Sequence, residues 1–476
     1  MNGTCGLEFG AGTLRLRLPA GAEALAMKGG TPLDDPGRAV RESLVRPVAG
    51  PGLAELVRSR RAGRAGSALT AAVVISDNTR PVPYKGAGGI LEPILDALRA
   101  EGVGRTFILV ANGTHRELSG AELRGMLCPA AFAPGVEVVN HVCTDRSGLR
   151  LVGRTARGTE AWINRLYLDA DVKILTGLVE PHFMAGASGG PKAVCPGLVG
   201  EDVTRVFHGA ALLADERATS LVMDGNPCQE EARAVAGLAG HDFIVNVTLD
   251  GARRITGVFA GELSAAHRAA VARVLADSAV PIEREYDLVV THAGFVGVNH
   301  YQAAKAAVEG AKAVRPGGRL ILVANHTEAE PVGSANYRRG LGLLARLGPR
   351  ELLQRMLEPG WEFIPEQWQV QMWARALARL EDPTEMIYCS PRLTGDAFRA
   401  AQLPGTDGGL GLARAGEGAS EPSVAASAGV GRSPRDLAEA MVQRAIDRFA
   451  AERPGGRVAV LLDGPYAVPV PAGTAG

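Results

Sequence analysis

The sequence predicts an α/β protein with two doubly wound domains, in which helices cover both faces of a mostly parallel sheet. Three observations predict this class. Short, continuously apolar runs rich in Val, Ile and Leu recur along the chain, and segments with apolar residues at helical spacing lie between them. Such runs are typical of parallel strands that are buried on both faces. The chain has 476 residues, which corresponds to two or three domains at roughly 150 residues each.

Predicted strands and helices alternate along the chain. The clearest helical segments are 90–103 and 300–314, where apolar residues recur at helical spacing. A third helix is predicted over 435–452. The apolar runs predicted as strands are 69–76, 106–112, 136–141, 171–177, 242–249, 286–292, 318–325 and 457–464.

A domain boundary is predicted near 272–285, where a polar stretch carries a proline. We expect an N-terminal domain over 1–275, joined by residues 435–476, and a C-terminal domain over 283–400. Residues 403–434 are rich in Gly, Ala and Ser and show no periodicity. They are predicted to be a flexible linker or insertion, because this composition buries too little apolar surface to offset the entropy of ordering.

Charge and cysteine content indicate the kind of environment. Lys+Arg and Asp+Glu both number 51, and this balance argues against a nucleic-acid or membrane-surface binder. The six cysteines are scattered without a CxxC pair, which favours a reduced, cytosolic protein. The N-terminal residues lack the pattern of a secretion signal, and no apolar stretch approaches the ~20 residues of a membrane helix. We therefore expect a cytoplasmic protein.

Histidines concentrate where the predicted strands end. Ligands of open α/β sheets bind beyond the carboxyl ends of the strands, and histidine supplies acid/base chemistry near neutral pH and metal ligation. For His141, His292 and His326, a hydrogen-bonding role in a loop is favoured over catalysis. For His115, in a Gly-Thr-His-Arg turn, and for His182, before a Gly-rich loop, function is favoured. The seven histidines at or beyond strand ends are His115, His141, His182, His208, His292, His300 and His326.

The Gly-rich segment 186–192 resembles a P-loop only superficially. Pro191 occupies the second Gly position, and Ala193 follows the lysine where Ser or Thr would bind magnesium. A nucleoside triphosphate site is therefore not expected. The turn can still bind one phosphate through backbone N–H groups, and Lys192 is then either a charge partner or a nucleophilic amine.

Arg80 follows the predicted strand 69–76 and lies between Asp77 and Pro81. A guanidinium at this place suits binding of an anion such as a carboxylate. An ion pair with a nearby carboxylate is the alternative interpretation.

Taken together, these residues resemble the nickel-pincer lactate racemase family. The resemblance runs from about residue 70 to about residue 375 and is more specific than any single motif, because the motifs occur in order. The motifs that carry it are Asp77–Pro81, Gly113–Arg116, Glu180–Phe183, Ser188–Lys192, His208, Tyr301–Lys305 and Gln367–Gln371.

This resemblance implies an active site in the cleft between a larger N-terminal and a smaller C-terminal α/β domain. It also implies a cofactor, the nickel-pincer nucleotide (pyridinium-3-thioamide-5-thiocarboxylic acid mononucleotide), which grips nickel through a ring carbon and two sulfurs. By the resemblance, the cofactor is attached covalently to Lys192, and His208 completes the coordination of nickel. The other residues that it assigns to cofactor binding are Asp77, Thr79, Ser188, Gly189 and Gly190.

The implied activity is that of an isomerase, a racemase or epimerase that inverts C2 of a 2-hydroxy carboxylic acid by hydride transfer to and from the cofactor. His115 and His182 would flank the substrate as alternating general base and acid. Two imidazoles suit this chemistry, because one takes the hydroxyl proton and the second serves the opposite enantiomer. The implied partners are a small 2-hydroxy acid and the enzymes that build the cofactor. The residues assigned to substrate binding are Arg80, Tyr301, Gln302, Lys305 and Trp368.

Two features go beyond the family pattern. Pro191 stands where a basic residue is expected. Extra polar groups near the strand ends of the second domain suit a larger, more polar substrate such as a sugar acid, or else they satisfy loop backbone. These groups are His292, Asn299, His300, Asn325, His326 and Thr327.

Two other functions remain open from the sequence. A zinc-dependent hydrolase could use the same histidines, although the chain has no HExxH motif and such an enzyme gives the Gly-rich turn no role. A non-catalytic protein could bind the cofactor or a sugar phosphate, although it would not need two histidines without a metal role.

Overall fold

The computed structural model describes residues 3–62, 68–409 and 433–473. The chain divides into two compact units. The middle unit is Gly29–Asp277, and the terminal unit combines Met1–Lys28 with Ser278–Gly476. Each unit contains a six-stranded sheet, so the predicted α/β class with two sheets is confirmed.

The elements are numbered in chain order. The strands are β1 (Thr4–Phe9), β2 (Gly12–Arg17), β3 (Glu23–Leu25), β4 (Thr70–Ser76), β5 (Arg105–Ala111), β6 (Val136–Asn140), β7 (Leu149–Arg154), β8 (Glu160–Asn164), β9 (Val172–Leu178), β10 (Pro181–His182), β11 (Gly186–Ala187), β12 (Phe243–Leu249), β13 (Ile255–Gly261), β14 (Ala279–Ile282), β15 (Tyr286–His292), β16 (Val314–Val323), β17 (Met386–Cys389), β18 (Thr406–Asp407), β19 (Val458–Leu461) and β20 (Val468–Pro471). The helices are α1 (Pro36–Val45), α2 (Leu53–Ala62), α3 (Leu91–Ala100), α4 (Gly120–Met126), α5 (Arg165–Asp169), α6 (Glu201–Phe207), α7 (Ala210–Ala214), α8 (Pro227–Ala239), α9 (Leu263–Ser278), α10 (His300–Ala313), α11 (Ala335–Arg355), α12 (Gln367–Leu380), α13 (Asp396–Ala400) and α14 (Pro434–Glu452).

The sheet of the middle unit has the order β13-β12-β9-β4-β5-β6. All neighbours are parallel except β12 and β13, which pair antiparallel. The interior of β4, Ala71–Ile75, is completely buried, as the unbroken apolar run predicts for a central parallel strand. Ile94 and Leu98 of α3 belong to the same core. The carboxyl ends of five parallel strands therefore meet at one edge of this sheet.

The sheet of the terminal unit has the order β18-β17-β16-β15-β19-β3 and is parallel throughout. Met441 and Phe449 of α14 pack in one core with Leu288 and Ile321 of the sheet. The hairpin of β1 and β2 adds Leu14 to this core. The predicted strands and the three predicted helices are all confirmed, with ends that differ by a few residues.

The predicted domain composition needs a correction. The boundary falls within the predicted 272–285 stretch, but residues 435–476 belong to the terminal unit rather than to the first domain. The reason is strand pairing, because β19 lies between β15 and β3 in the second sheet. Residues 1–28 join the same unit through this pairing. Of the predicted linker 403–434, Thr406–Asp407 forms strand β18 against β17, and residues 410–432 lie outside the described residues.

Two observations concern the thiol groups and membrane-spanning segments. All six cysteines are free thiols. Within the described residues, no helix combines the length and the apolar character needed to cross a membrane.

Candidate active site

The predicted site residues of the middle unit gather at the carboxyl edge of its sheet. Asp77 directly follows β4, and His115 lies in the turn after β5. His182 and the Gly-rich turn follow β9, which lies next to β4 in the sheet. Because these strands are parallel neighbours, residues far apart in sequence come together at this edge.

Asp77 and His115 form a hydrogen-bonded pair. Asp77 is 5% exposed, and its Oδ2 lies 2.6 Å from Nδ1 of His115. Its Oδ1 accepts bonds from the backbone N–H and the hydroxyl of Thr79, at 3.1 and 2.6 Å. Burial alone would raise the pKa of Asp77, but the bonds from His115 and Thr79 lower it below its ordinary value. The carboxylate is therefore ionised, so Nδ1 of His115 carries the proton and Nε2 is left as an acceptor.

Arg80 forms an ion pair with Glu180, which follows β9. Nε of Arg80 lies 3.0 Å from Oε1 of Glu180, and both side chains are less than one-fifth exposed. Nη1 donates to the carbonyl oxygen of Thr79. No bond of Nη2 is found within the described residues, so this edge of the guanidinium can receive an anion.

His182 is held differently from His115. It lies in the short strand β10, which pairs with β11, and it is 8% exposed. Its Nδ1 accepts hydrogen bonds from the backbone N–H groups of Met184 and Ala185, at 3.3 and 3.2 Å. An accepting Nδ1 places the proton of the neutral ring on Nε2. His115 therefore offers an acceptor at Nε2, whereas His182 offers a donor there.

The Gly-rich turn connects β11 to Lys192. Ser188 is buried, and its hydroxyl donates to the carbonyl oxygen of Leu178 at 2.8 Å and accepts from the N–H of Glu180 at 3.0 Å. Its hydroxyl thus joins the turn to β9. Gly190 begins a 3₁₀ turn that contains Lys192. The predicted roles of Ser188 and the two glycines in cofactor binding remain predictions.

Lys192 and His208 lie against the same aromatic ring. Nζ of Lys192 is 4.3 Å from the ring centroid of Phe207, and His208 packs edge-on against that ring at 4.7 Å. Burial lowers the pKa of Lys192 to about 7, and the positive charge of Arg80 adds to this effect. No hydrogen bond or ion pair of the Lys192 amine is found in the described part of the chain. Much of this amine is therefore neutral and nucleophilic near pH 7.

The protonation state of His208 is affected by the charged residues around it. Burial lowers the pKa of His208 well below its ordinary value, and the positive charges of Lys192 and His115 lower it further. The imidazole is therefore neutral, which is the form that ligates metals. Lys192, the predicted tether, and His115, a predicted catalytic histidine, thus both lie close enough to His208, the predicted metal ligand, for their charges to lower its pKa.

Four of the predicted substrate residues lie on two helices of the terminal unit. Tyr301, Gln302 and Lys305 are on α10, and Trp368 is on α12. Nε1 of Trp368 donates to the hydroxyl of Tyr301 at 2.9 Å. Burial raises the pKa of Tyr301, so the phenol stays protonated. Gln302 and Lys305 are three residues apart and share one face of α10. Arg80, the fifth predicted substrate residue, belongs to the middle unit.

The histidines favoured as loop residues have structural roles. Nε2 of His141 lies 2.9 Å from the carbonyl oxygen of Val199. His292 bonds the carbonyl oxygen of Leu462 through Nε2 at 2.7 Å and accepts the N–H of Gly294 through Nδ1. These bonds confirm the structural interpretation of both residues.

His326 and His300 complete this structural set. His326 lies between the carbonyl oxygen of Gly297, at 3.0 Å, and the hydroxyl of Tyr388, at 2.8 Å. His300 is fully buried and stacks on Trp373 with a centroid distance of 4.4 Å. The suggestion of a more polar substrate therefore gains no support from these side chains, because they bond or pack against the protein.

Two residues that contact the Gly-rich turn were not singled out from the sequence. Asn246 of β12 accepts the N–H of Gly190 at 2.9 Å, and His267 of α9 lies 2.9 Å from the carbonyl oxygen of Ser188. Asn246 stands within the apolar run Phe243–Val247, and this polar interruption is a signal that the sequence offers. His267 gives no local signal, because it lies on a helix 79 residues from its partner.

No conventional metal cluster is present in the described residues. Nowhere among residues 3–62, 68–409 and 433–473 do three His, Cys, Asp or Glu side chains come close enough to hold a metal ion together. The three protein ligands of a catalytic zinc site are therefore not found in that part of the chain.

A parallel sheet with histidine, lysine and ionised carboxylate groups at its carboxyl edge defines an α/β protein with an enzyme-like site. The lactate racemase N-terminal domain family matches residues 9–220. Lactate racemase of Lactiplantibacillus plantarum is 31% identical over 347 residues, which cover 71% of this chain and 77% of that protein. The chain belongs to the lactate racemase family, and this membership supports a racemase.

Further relatives agree with this assignment. Lactate racemase of Thermoanaerobacterium thermosaccharolyticum is 28% identical over 309 residues, which cover 64% of this chain and 70% of that protein. The structure of the lactate racemase apoprotein from the same organism has a TM-score of 0.79 at 22% identity, covering 98% of this chain and 100% of that one. A protein from Thermotoga maritima has a TM-score of 0.60 at 16% identity, covering 92% and 99%. These structures share the fold.

Proposed function

We propose that this chain is a racemase or epimerase that inverts C2 of a 2-hydroxy carboxylic acid with a nickel-pincer nucleotide carried on Lys192. The observation that carries the proposal is the placement of Lys192 and His208 against one aromatic ring, with Nζ of Lys192 4.3 Å and the imidazole of His208 4.7 Å from the ring centroid of Phe207. The relatives named lactate racemase support the same reaction class.

The residues present fit the implied cofactor. A lysine with a pKa of about 7 is suited to covalent attachment, because its neutral amine is a nucleophile. His208 offers one neutral imidazole, and nickel held mainly by an organic ligand needs only one such nitrogen from the protein. The bound cofactor would supply an acceptor for the hydrogen at C2 together with its electron pair.

His115 is proposed to take the hydroxyl proton of the substrate. Its Nε2 makes no hydrogen bond within the described residues, and its Nδ1 donates to Asp77. When Nε2 accepts a proton, the ionised Asp77 stabilises the resulting imidazolium, as the carboxylate does in other Asp–His pairs. General base catalysis of this kind contributes about 10²–10⁴-fold in rate.

His182 is proposed to serve as the second acid/base group. In its neutral form it presents Nε2–H, which can donate to an oxygen of the substrate. Transferring a proton as an acid requires the imidazolium, and accepting one at Nε2 as a base requires the proton of the neutral ring at Nδ1. Both states carry Nδ1–H, so the bonds from Met184 and Ala185 must be released during turnover. Their lengths of 3.3 and 3.2 Å are at the weak end for N–H donors.

Arg80, Tyr301, Gln302, Lys305 and Trp368 are proposed to bind the substrate. Arg80 and Lys305 supply positive charge for the carboxylate. Tyr301 stays protonated, and its hydroxyl is oriented by Trp368. We also propose that Asp77, Thr79, Ser188, Gly189 and Gly190 line the cofactor site. In the structure, Asp77 and Thr79 orient His115.

Two proposals concern the surroundings of the enzyme. The first is that cofactor-building enzymes act on this chain before it is active. The second is a cytoplasmic location, which the free thiols and the balanced charge support.

The test is a screen of chiral 2-hydroxy acids against chain that has been produced with cofactor-building enzymes and nickel, read by chiral chromatography. We expect one acid to be inverted, and we expect intact-mass measurement to show an adduct that Lys192→Ala abolishes. A fully active preparation with unmodified Lys192 would contradict the proposal. Hydrolysis that requires zinc, or stoichiometric binding without any inversion, would support the two alternative functions instead.

A further inference from the structure

The turn that precedes Lys192 is pressed against two side chains from other elements of the middle unit. Gly189 and Gly190 have φ angles of +74° and +50°, in the region that favours glycine. A Cβ on Gly190 would lie 2.5 Å from Cγ of His267, and a Cβ on Gly189 would lie 2.9 Å from Oδ1 of Asn246. Glycine at these positions lets the backbone come close enough to bond both side chains.

His267 holds the first end of the turn. It is 2% exposed, and its Nε2 lies 2.9 Å from the carbonyl oxygen of Ser188. Because a carbonyl oxygen only accepts, Nε2 carries the proton and donates it. Burial lowers the pKa of His267 to about 4, so the ring is neutral near pH 7 and keeps this tautomer.

Asn246 holds the second end. It is fully buried in strand β12, between Val245 and Val247, and its Oδ1 accepts the N–H of Gly190 at 2.9 Å. Its Nδ2 has no hydrogen-bond partner within the described residues. Burying an unpaired amide donor destabilises the folded chain. An apolar residue would stabilise the strand better, so the amide is explained by its bond to the turn.

The Ser188–Gly190 turn also fixes the position of the Lys192 backbone. The N–H of Lys192 donates to the carbonyl oxygen of Gly189 at 3.1 Å. The hydroxyl of Ser188 ties the other side of the turn to β9. Without His267 and Asn246, two consecutive glycines would be free to sample other conformations.

We propose that His267 and Asn246 are positioning residues, which hold the Ser188–Gly190 turn so that the Lys192 amine is presented to the nucleotide it carries. This inference rests on the proposed function. Neither residue touches the reacting atoms. Their loss lowers the fraction of chain that becomes loaded, because small misplacements of a reacting group cost large factors in rate.

The test compares three histidine variants after identical production with the cofactor-building enzymes. His267→Leu removes the donor at similar volume, and His267→Gln restores an N–H near the position of Nε2. His141→Leu is the matched control, because His141 is also 2% exposed and also lies 2.9 Å from a carbonyl oxygen, that of Val199. The readouts are the adduct on Lys192 by intact mass, nickel per chain, and the melting temperature of the apoprotein.

We expect the adduct fraction to fall at least about tenfold in His267→Leu, and to recover in His267→Gln to within about threefold of the unsubstituted chain. His141→Leu should lower the melting temperature yet load as the unsubstituted chain does. Asn246→Leu, which removes the acceptor for Gly190, should load as poorly as His267→Leu. This second variant keeps the test decisive if His267→Leu does not fold.

Two results would overturn the inference. One is full loading of both His267→Leu and Asn246→Leu. The other is a loading defect in His141→Leu as large as that of His267→Leu, since the defect would then follow from lost stability. If the unsubstituted chain itself carries no adduct on Lys192, the proposed function fails and the inference fails with it.

Discussion

Both sheets carry histidines just beyond their strands, and these histidines differ in how many of their ring nitrogens bond protein atoms. At the edge of the middle sheet, the side chain of His115 is 48% exposed and bonds Asp77 through one nitrogen only. At the edge of the terminal sheet, both ring nitrogens of His292 and of His326 bond protein atoms. A histidine at a strand end does not by itself indicate a site, and whether its second nitrogen bonds the protein separates a structural role from a candidate chemical one.

The largest expected effect concerns the neutral imidazole of His208. His208→Ala should lose nickel and reduce racemisation by at least about 10⁶-fold, the low end of enzymatic rate enhancements. His115→Ala should keep its nickel, because that residue is proposed to act on the substrate. Metal analysis of purified, cofactor-loaded variants measures both. Nickel retained by His208→Ala at the level of the unsubstituted chain would refute the ligand assignment.

A smaller effect is expected from the carboxylate behind His115. Asp77→Asn should lower kcat/KM by about 10²–10⁴-fold, because an amide favours the tautomer with the proton on Nε2 and no longer stabilises the imidazolium. The equilibrium constant between enantiomers is fixed, so both directions must fall by the same factor. Initial rates with each enantiomer measure this.

Asp145→Asn provides the matched control for that substitution. Asp145 also caps a turn, with Oδ1 accepting from the N–H and hydroxyl of Ser147 at 3.0 and 2.6 Å. The Asp77 turn has the same geometry with Thr79, but only Asp77 contacts a histidine of the site. Unchanged kcat/KM in Asp145→Asn is expected, and an equal loss in both variants would mean that the turn rather than His115 matters.

The smallest effect on catalysis is expected at the terminal sheet, where the change appears in stability. Burial lowers the pKa of His326 from 6.5 to about 4. Between these pH values the unfolded chain binds a proton at this histidine that the folded chain does not bind. The contribution of His326 to the free energy of unfolding therefore falls by roughly 3 kcal/mol as the pH falls from 6.5 to about 4. His326→Gln should reduce that loss and leave kcat/KM unchanged. Denaturant unfolding at both pH values measures the difference, and equal acid sensitivity of the two proteins would contradict it.

The fold class and the sheet edge at which the candidate site lies follow from the sequence, because their signals are local. Continuous apolar runs identify buried parallel strands, and the residues just after them identify the edge. What the sequence did not reveal is non-local. The position of β19 depends on pairing with β15 and β3, and the residues of 457–464 do not indicate which strands they pair with. The contact of His267 with Ser188 likewise joins a helix to a turn 79 residues away. The tautomers of His115 and His182 depend on which donors or carboxylates face their rings.

The two units also differ in how soon they can be completed at the ribosome. The middle unit is one continuous stretch, Gly29–Asp277. Strand β3, by contrast, ends at Leu25, and within the described residues its partner in the sheet is β19, which begins at Val458. At about 5–20 residues per second, synthesis of the intervening chain takes roughly 20–90 s. Until β19 has been synthesised, β3 lacks the strand beside which it lies in the sheet, so the Gly-rich turn and Lys192 can fold well before β3 pairs.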